Sequence, residues 1–558
     1  MPIDKRYIII LVIGLVYSLW LSFHFFKPWY LWWLDYFFPL FWWIGEPWTN
    51  GFILWILTTL SKNIISSQIL EKIILVLWFF IPFLWGALLL RRTNSIGAMV
   101  FAGIFLTCNP YFYGRFMDGQ LGMYLLFCTI PFWIWGLYKF FAYKRIALSN
   151  YIMLIFLSII TTSISIHGAL FLLVSFGVFA CVYFDYSNSW NYIRKTVLVG
   201  FLILFANAYR IVPNLSDTNG AMERINQFDS QDLSIFQNSL WNANNYITTL
   251  TLQWYWWEWQ YRFIPSYGPT QYPFFIFYFL GVIISIGIFY SLYNWDTRQR
   301  KLALCILVLT IVWYILWLGT AWETIFAWLT RFLYTYMPFY AAMRESHKWV
   351  LLMVIWYAYF GWYGIYALWK YFISKYSDIL IGLSWVILVL GYTPSIFLLN
   401  KQIPVVDYPS EWYTLRNDLI ELDRVNNDTD KRILVLPRHQ HMTLWFVWKN
   451  VLNPVSTFLY PLEVIQWDNL EIWTIYSQGN DPLKNTISMH LWRLNDLWIN
   501  KADDYNFLEY LRSNDIRYIL LLKEVDYERY GPRILDFYSK AKLAKISNTD
   551  YFTLYHIQ

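Results

Sequence analysis

The chain has 558 residues, of which 58% are hydrophobic, 22% aromatic and 14% charged. A typical soluble domain carries about 25% charged residues, so this composition excludes a soluble enzyme and a disordered chain and indicates several transmembrane helices. The mean hydropathy of +0.38 agrees. The net charge of +6 is small for this length, and no basic cluster indicates nucleic-acid binding. No CxxC spacing is present, so neither a disulfide framework nor a zinc site is indicated.

Eleven apolar runs approach the length of about 20 residues that crosses a bilayer. In chain order they are about 7–26, 72–90, 96–112, 119–138, 150–166, 168–184, 196–213, 273–294, 302–320, 349–368 and 379–398. The division at His167-Gly168 is critical, because merging 150–184 into one span would reverse the orientation of every later segment. We interpret the first span as an uncleaved anchor, since it is too long and too aromatic for a signal peptide.

Lysine and arginine favour the cytoplasmic side of a membrane. With the N-terminus inside, the inner segments carry 14 cations against 4 acids. The cations are Lys5, Arg6, Arg91, Arg92, Lys139, Lys144, Arg145, Arg194, Lys195, Arg298, Arg300, Lys301, Lys370 and Lys375. We therefore predict a multi-pass plasma-membrane protein with a cytoplasmic N-terminus and an extracytoplasmic C-terminal region.

Two domains follow from this distribution. Residues 1–398 form a transmembrane domain with large outer loops at 27–71, 214–272 and 321–348. Residues 399–558 contain no apolar run of span length and are predicted to form an extracytoplasmic α/β domain. In that domain Arg432–Pro437 and Ile516–Leu522 are predicted strands, and Tyr505–Ser513 is a predicted helix.

Several ionisable residues fall on the predicted outer side at or near membrane depth, where a charge is costly and marks a functional candidate. Asp35 lies in the aromatic run WWLDYFFPL just beyond the first span. Partial desolvation there would raise the pKa of its carboxyl group and suit a general base. The alternative is a loop carboxylate that faces water or pairs with Lys27.

The segment RESHK directly precedes the tenth span. Arg344 and Lys348 are four residues apart, so they share one face of a helix and could bind a phosphate or pyrophosphate. The alternative is that both side chains snorkel to lipid headgroups. His347 could contribute to an anion site or be structural, and Glu345 could pair with a nearby arginine.

The remaining candidates also lie on the outer side. Arg115 and Asp118 are three apart in a predicted loop and could pair with each other. Arg210 near the end of a span is either an interface anchor or a phosphate ligand. Glu258 lies in the aromatic run WYWWEWQYR, which is an interface belt or a platform for a sugar acceptor. His167 lies between the fifth and sixth spans, where it could simply mark a tight turn.

These features together resemble the GT-C superfamily of membrane glycosyltransferases. Two motifs are closer to its arabinofuranosyltransferase-type and YfhO-like members. The stretch 109–120, NPYFYGRFMDGQ, resembles their NPxxxxRxxxGQ element. The stretch 344–348, RESHK, resembles their R-(E/N)-x-x-K element before a late span. The stretch from Tyr408 onward also resembles their extracytoplasmic segment.

The resemblance implies a hexosyl- or pentosyltransferase of cell-envelope glycan biosynthesis. A sugar moves from a polyprenyl-phosphate donor to a hydroxyl of an outer-face glycan, lipid or protein. By this resemblance Asp35 becomes the general base, and Arg344 and Lys348 become ligands of the donor phosphate. Arg115 matches the arginine of the NPxxxxRxxxGQ element, whereas Asp118 occupies one of its variable positions. From their places in the sequence we add Arg115 and Arg210 as candidate phosphate ligands, and Asp118, Glu258 and His347 as acceptor or metal candidates. No cluster requires a metal, but Asp35 with another outer acid could bind a divalent cation such as Mg, Mn or Ca.

Three other classes of function stay open on the sequence alone. A ligase or polymerase of surface polysaccharide would also use outer-face arginines, but a requirement for Asp35 would argue against it. A lipid-linked glycan flippase or transporter would place ionisable residues near the bilayer midplane and show two related halves. The sequence shows charges at the rim and no such halves. A non-catalytic cell-envelope assembly protein would tolerate the loss of Asp35.

Overall fold

The structure is a computed structural model. It describes residues 5–27, 30–31, 59–60, 64–89, 95–118, 120–143, 147–164, 166–209, 212, 250, 252, 274–293, 297–319, 326–337, 340–343, 346–371, 378–393, 396, 399, 403, 405–425, 432–436, 441–444, 446–447, 449–459, 462–465, 483, 486–487, 501–523 and 543–557.

The chain divides into two compact units. The membrane unit comprises Met1–Phe26, Gly45–Trp55 and Lys72–Asn400. The C-terminal unit comprises Lys401–Gln558 and also takes in Lys27–Ile44 and Ile56–Glu71. Parts of the predicted first outer loop therefore belong to the same unit as the C-terminal region.

Thirteen described helices of nine residues or more precede residue 400. In chain order they are α1 (Lys5–Ser22), α2 (Ser67–Leu89), α3 (Ile96–Thr107), α4 (Pro110–Asp118), α5 (Leu121–Ala142), α6 (Leu148–Ile164), α7 (Ile166–Val182), α8 (Ser189–Ala206), α9 (Phe274–Tyr293), α10 (Thr297–Leu318), α11 (Ala327–Tyr336), α12 (Val350–Tyr371) and α13 (Asp378–Tyr392). In apolar surroundings a helix satisfies its own backbone hydrogen bonds, which is why the apolar runs fold this way.

Each of the eleven predicted spans coincides with helical structure. By length and hydropathy, six helices in the described part of the chain could each cross a membrane. The number rises to eight if two bent helix pairs, with bends of 42° and 89°, each count as one span. The fold is therefore that of a predominantly helical membrane protein, and the number of eleven crossings stays a prediction.

The division predicted at His167-Gly168 is present. Helix α6 ends at Ile164 and α7 begins at Ile166. A Cβ atom added to Gly168 would overlap the Thr161 carbonyl oxygen. Residues seven apart in a straight helix are separated by about 10 Å along the axis, so this contact requires the chain to turn back on itself.

The predicted span 96–112 and the loop that follows it need correction. Two helices, α3 and α4, cover this stretch, and Arg115 lies on the second of them and not in a loop. Asn109 joins them: its Nδ2 atom donates to the Phe105 carbonyl, and its Oδ1 atom accepts from the Phe112 N–H group, both at 2.9 Å. Pro110 has no N–H group to continue the first helix but fits the first turn of the second.

Polar contacts gather predicted cytoplasmic segments at one end of the membrane unit. The Tyr183 hydroxyl donates to the Arg298 carbonyl at 2.9 Å. The Gln299 amide donates to the Tyr138 hydroxyl at 2.9 Å. These bonds join the ends of α5 and α7 to the start of α10, which the prediction assigns to one side. His167 lies at the other end of α7, about 24 Å away along the axis.

The C-terminal unit contains a five-stranded mixed sheet. Its strands are β3 (Arg432–Leu436), β6 (Glu463–Ile465), β7 (Ile516–Leu522), β8 (Ala544–Asn548) and β9 (Phe552–His556), in the order β6-β3-β7-β9-β8. Strands β6, β3 and β7 are parallel, whereas β9 is antiparallel to both β7 and β8. A separate hairpin pairs β4 (His441–Leu444) with β5 (Lys449–Leu452).

Both faces of this sheet are covered, which explains why its two central parallel strands read as continuous apolar runs. On one face Ile433 and Val435 belong to a buried cluster with Trp412 of the helix Ser410–Val425. On the other face Leu434 and Leu436 join a cluster with side chains of the helix Lys501–Ser513. The two predicted strands and the predicted helix of this region are present.

The start of the first outer loop is part of the C-terminal unit. Tyr30 and Leu31 form β1, which pairs antiparallel with Val406 and Val405 of β2. The buried Glu71 side chain accepts the Leu31 N–H group at 3.0 Å. Burial raises the pKa of Tyr30 to about 12, so its hydroxyl stays protonated at physiological pH.

Candidate functional site

Lys348 and His167 meet at one end of the membrane unit. The Lys348 Nζ atom lies 3.1 Å from the His167 Nε2 atom, although 181 residues separate them in sequence. Lys348 is 8% exposed. A neutral imidazole accepts from an ammonium group when its proton is on Nδ1, whereas an imidazolium next to the same ammonium is repelled. A bound anion would stabilise both cations together.

Packed aromatic rings hold this pair in place. Lys348 belongs to the short turn Ser346–Trp349 that precedes α12, and His167 opens α7. The ring of Trp349 meets that of Phe171 edge to face, with centroids 5.0 Å apart. Because Trp349 follows Lys348 and Phe171 is one helical turn after His167, this contact fixes the spacing of the two polar side chains.

Buried polar groups lie close to the same hairpin. The Asn207 Nδ2 atom donates to the Ser158 hydroxyl at 3.1 Å, and the Thr162 hydroxyl bonds to Asn207 Oδ1. The Tyr209 hydroxyl contacts the Ser163 hydroxyl. Ser163 directly precedes the end of α6. The backbone that leads to the candidate Arg210 is therefore anchored next to the tip that carries His167.

Arg115 occupies a buried position of 4% exposure on α4. Its Nη1 atom donates to the Gln120 side-chain oxygen at 2.5 Å, and its Cζ atom lies 5.2 Å from the centroid of the Tyr111 ring. Arg115 and Gln120 are both fixed positions of the NPxxxxRxxxGQ element. Asn109 connects α3 to α4, and Arg115 bonds Gln120. These contacts give the NPxxxxRxxxGQ motif a structural role.

Most of the other predicted site residues lie outside the described part of the chain. They are Asp35, Arg210, Glu258 and Arg344, together with the side chains of Asp118 and His347. The predicted Arg115–Asp118 pair stays a prediction for that reason. Among the described residues, no group of three or more His, Cys, Asp or Glu side chains could hold a metal ion.

The sequence interpretation gave too little weight to His167. It placed this residue among the outer-side candidates with a tight turn as the alternative, and the turn is present. The signal that could have pointed to its contact with Lys348 is a histidine at an outer hairpin tip, on the same predicted side as the RESHK segment. Two spans from distant parts of the chain must be packed together before these residues meet.

Solved structures with a similar fold include the arabinofuranosyltransferase AftD from mycobacteria. It superposes with a TM-score of 0.64 at 11% sequence identity, over 100% of this chain and 40% of AftD. A variant of AftD gives a TM-score of 0.60 at 11% identity, over 100% of this chain and 42% of the other. An oligosaccharyltransferase from Archaeoglobus fulgidus gives 0.47 at 12% identity, over 97% and 72% of the two chains.

The chain therefore has a GT-C-like membrane fold, and it spans about two fifths of the length of AftD. No protein-family model matches the chain. No curated protein matches its sequence. The likeness is one of fold, because at this identity most side chains of the compared proteins differ.

The expectation that Lys348 is a ligand of a lipid phosphate predicts that Lys348→Ala weakens the binding of undecaprenyl phosphate, used as the probe, roughly 10- to 100-fold. The reason is that one charge-assisted hydrogen bond contributes about 1.5–3 kcal/mol. Binding can be measured by microscale thermophoresis on the full-length protein in detergent.

The matched control is Lys370→Ala. Lys370 is an exposed cation at the other end of the same helix, about 30 Å from the start of α12. Equal loss in both variants would assign the effect to net charge and would contradict a role for Lys348 in binding.

Proposed function

We propose that this protein is a glycosyltransferase. It moves a sugar from a polyprenyl-phosphate donor to a hydroxyl of an outer-face glycan, lipid or protein acceptor. The observation that carries the proposal is the contact between Lys348 and His167 at one end of a membrane unit with a GT-C-like fold. AftD, which has a similar fold, is an arabinofuranosyltransferase. That likeness supports glycosyl transfer in general without specifying the sugar.

The reaction is a single inverting displacement. The acceptor oxygen attacks the anomeric carbon while the Asp35 carboxylate removes the proton of the hydroxyl group. The bond from the anomeric carbon to the phosphate oxygen breaks, and its electron pair leaves with the polyprenyl phosphate. A phosphate is already a good leaving group, so one base and stabilisation of the leaving charge suffice.

Lys348 and His167 are proposed to hold the leaving phosphate. The ammonium group of Lys348 supplies charge and a donor, and its contact with His167 at 3.1 Å brings the imidazole to the same place. On phosphate binding, a protonated His167 would donate from Nε2 to the phosphate and no longer accept from Lys348, so the two residues could contact different oxygens of one phosphate group. Arg344, four residues before Lys348, and Arg210, next to Tyr209, are proposed as further phosphate ligands on the strength of their sequence positions.

The test is an assay of the purified full-length protein with a panel of undecaprenyl-phosphate sugars. The panel contains a hexose, such as glucose or mannose, and a pentose, such as arabinofuranose. Release of undecaprenyl phosphate by transfer or slow hydrolysis is measured by mass spectrometry. We expect turnover of at least one donor by the wild-type protein and strongly reduced turnover by Lys348→Ala.

Binding of every donor without turnover, even with a crude envelope extract as the source of acceptor, would contradict the proposal. The transporter interpretation would then be favoured, and transport of the same donors across proteoliposomes would be the next measurement. A protein that binds no donor would support the assembly interpretation.

A further inference from the structure

The end of the membrane unit opposite Lys348 and His167 carries a second set of cations. Lys139, Lys195, Arg298 and Lys301 come from three separate stretches of the chain, at the end of α5 and the starts of α8 and α10. With the rings of Phe140, Tyr143 and Tyr183 they form one connected group, called here the basic–aromatic cluster. The proposed transfer reaction uses none of these residues.

The ring of Tyr143 connects two of the four cations. The Lys139 Nζ atom lies 5.5 Å from its centroid, and the Arg298 Cζ atom lies 5.2 Å from it. The ring of Tyr183 extends the group, because the Lys301 Nζ atom lies 5.6 Å from its centroid. The Tyr183 hydroxyl also donates to the Arg298 carbonyl. Three cations from two helices thus contact two tyrosines, and Arg298 connects the two.

Lys195 completes the cluster from a third helix. Its Nζ atom donates to the Phe140 carbonyl at 2.8 Å and lies 4.2 Å from the centroid of the Phe140 ring. The rings of Phe140, Phe141, Phe179 and Tyr183 contact one another in turn, with centroids 4.9, 6.4 and 6.0 Å apart, so packed rings connect Lys195 to the group. Contacts with rings stabilise each cation, and a bound anion would stabilise a group of cations further.

The surroundings of the cluster suit a lipid. Beyond Lys195, helix α8 exposes Val197, Leu198 and Phe201, with exposures of 63%, 51% and 62%. Before Lys195 in the chain, Tyr186 and Trp190 are 88% and 74% exposed. Exposed Tyr and Trp rings are typical anchors at a membrane–water boundary. An anionic lipid bound here would therefore have cations for its headgroup and, on the helix that carries Lys195, exposed apolar side chains for its acyl chains.

We infer that the basic–aromatic cluster binds the headgroup of an anionic phospholipid. The charge of the cluster is complementary to the phosphodiester, and the exposed apolar face of α8 suits its acyl chains. The sequence predicts that this end faces the cytoplasm, where anionic lipids attract basic segments next to a membrane. A free phosphate ion would use the cations but leave the apolar face without a role.

The experiment uses the full-length protein in nanodiscs that contain phosphatidylcholine and phosphatidylglycerol. Lipids retained after transfer to detergent are quantified by mass spectrometry. We expect the wild-type protein to be enriched in phosphatidylglycerol. The double variant Lys139→Gln/Arg298→Gln is expected to lose this preference roughly 10- to 30-fold. Lys301→Gln serves as a milder second variant if the double variant folds poorly, and it is expected to show a smaller loss.

The matched control is Lys370→Gln. Lys370 is predicted to lie on the same side of the membrane and also contacts a tyrosine ring, that of Tyr371, at 5.1 Å from its centroid. Unchanged preference in this control places the effect in the cluster. A wild-type protein without preference, equal losses in the control, or full retention by Lys301→Gln and the double variant would each overturn the inference. Binding of inorganic phosphate to the wild-type protein in detergent, measured by isothermal titration calorimetry and lost in the double variant without any lipid preference, would overturn the inference and assign the site to the free ion.

Discussion

Replacing Asp35 by asparagine is expected to lower turnover by roughly two to four orders of magnitude while leaving donor binding unchanged. Asparagine has nearly the same shape but cannot accept a proton, and loss of a general base typically costs about 10²–10⁴ in rate. Turnover is measured with whichever undecaprenyl-phosphate sugar the wild-type protein uses, and donor binding with undecaprenyl phosphate. A fall in kcat at constant donor affinity is the expected signature.

The control for this substitution is Asp185→Asn. Asp185 accepts the Ser187 N–H group at 3.1 Å in a turn after α7, at the end of that helix away from His167. The same chemical change there is expected to leave turnover intact. Wild-type activity in Asp35→Asn would remove Asp35 from the chemistry and turn attention to Asp118 and Glu258.

The segment just before Asp35 is held by hydrogen bonds at Leu31. Asp35 follows Leu31 by four residues, so the length of the chain keeps the two within about 14 Å. Leu31 itself is fixed by strand pairing with Val405 and by its bond to Glu71. A base that must meet an acceptor hydroxyl in one geometry benefits from such an anchor, because misplacement by about 1 Å can cost roughly 100-fold in rate.

The second large effect is expected from Gly287→Ala, which should destabilise the membrane unit by about 3 kcal/mol or more. Helices α9 and α12 touch through their backbones at this point. A Cβ atom on Gly287 would overlap the Phe360 carbonyl oxygen and lie 2.8 Å from the Gly364 nitrogen. Neither group is a flexible side chain that could move aside, so the helices must separate and lose their close packing.

Gly281→Ala in the same helix provides the comparison. A Cβ atom at Gly281 meets nothing within 4 Å. Alanine also favours a helix over glycine by up to about 1 kcal/mol, so this variant is expected to be neutral or slightly stabilised. Thermal unfolding in detergent, followed by the fluorescence of the 35 tryptophans, compares the two. Equal melting temperatures would contradict the backbone contact between α9 and α12.

The membrane unit has two separate candidate sites. The pair of Lys348 and His167 lies at one end, and the basic–aromatic cluster lies at the other. The pair of Lys348 and His167 is proposed to serve the chemistry, and the cluster is proposed to bind lipid. The pair and the cluster lie at opposite ends of α7. Substitutions in the pair should therefore leave lipid binding unchanged, and substitutions in the cluster should leave donor binding unchanged, because distant substitutions usually act independently. The assays described above can measure donor and lipid binding on the same variants.

The sequence by itself determined where the long apolar helices and the two central strands of the sheet form. In apolar surroundings a chain must satisfy its own backbone hydrogen bonds, so an apolar run such as 349–368 becomes a helix whatever it packs against. The run IRYILLL could be identified as a buried strand because both of its faces are apolar. The sequence also predicted that the apolar run 150–184 forms two helices, because His167-Gly168 interrupts it.

Only the tertiary structure decided which distant residues meet. The contact of His167 with Lys348 and the close approach of Gly287 to the Phe360 backbone depend on which helices pack together, and hydropathy carries no information about that. The strand order β6-β3-β7-β9-β8 and the pairing of Tyr30 with Val406 depend on long-range backbone hydrogen bonds, which any strand can offer to any other. Periodicity fixes local conformation through nearby residues, whereas a site assembled over 181 residues depends on the packing of the whole unit.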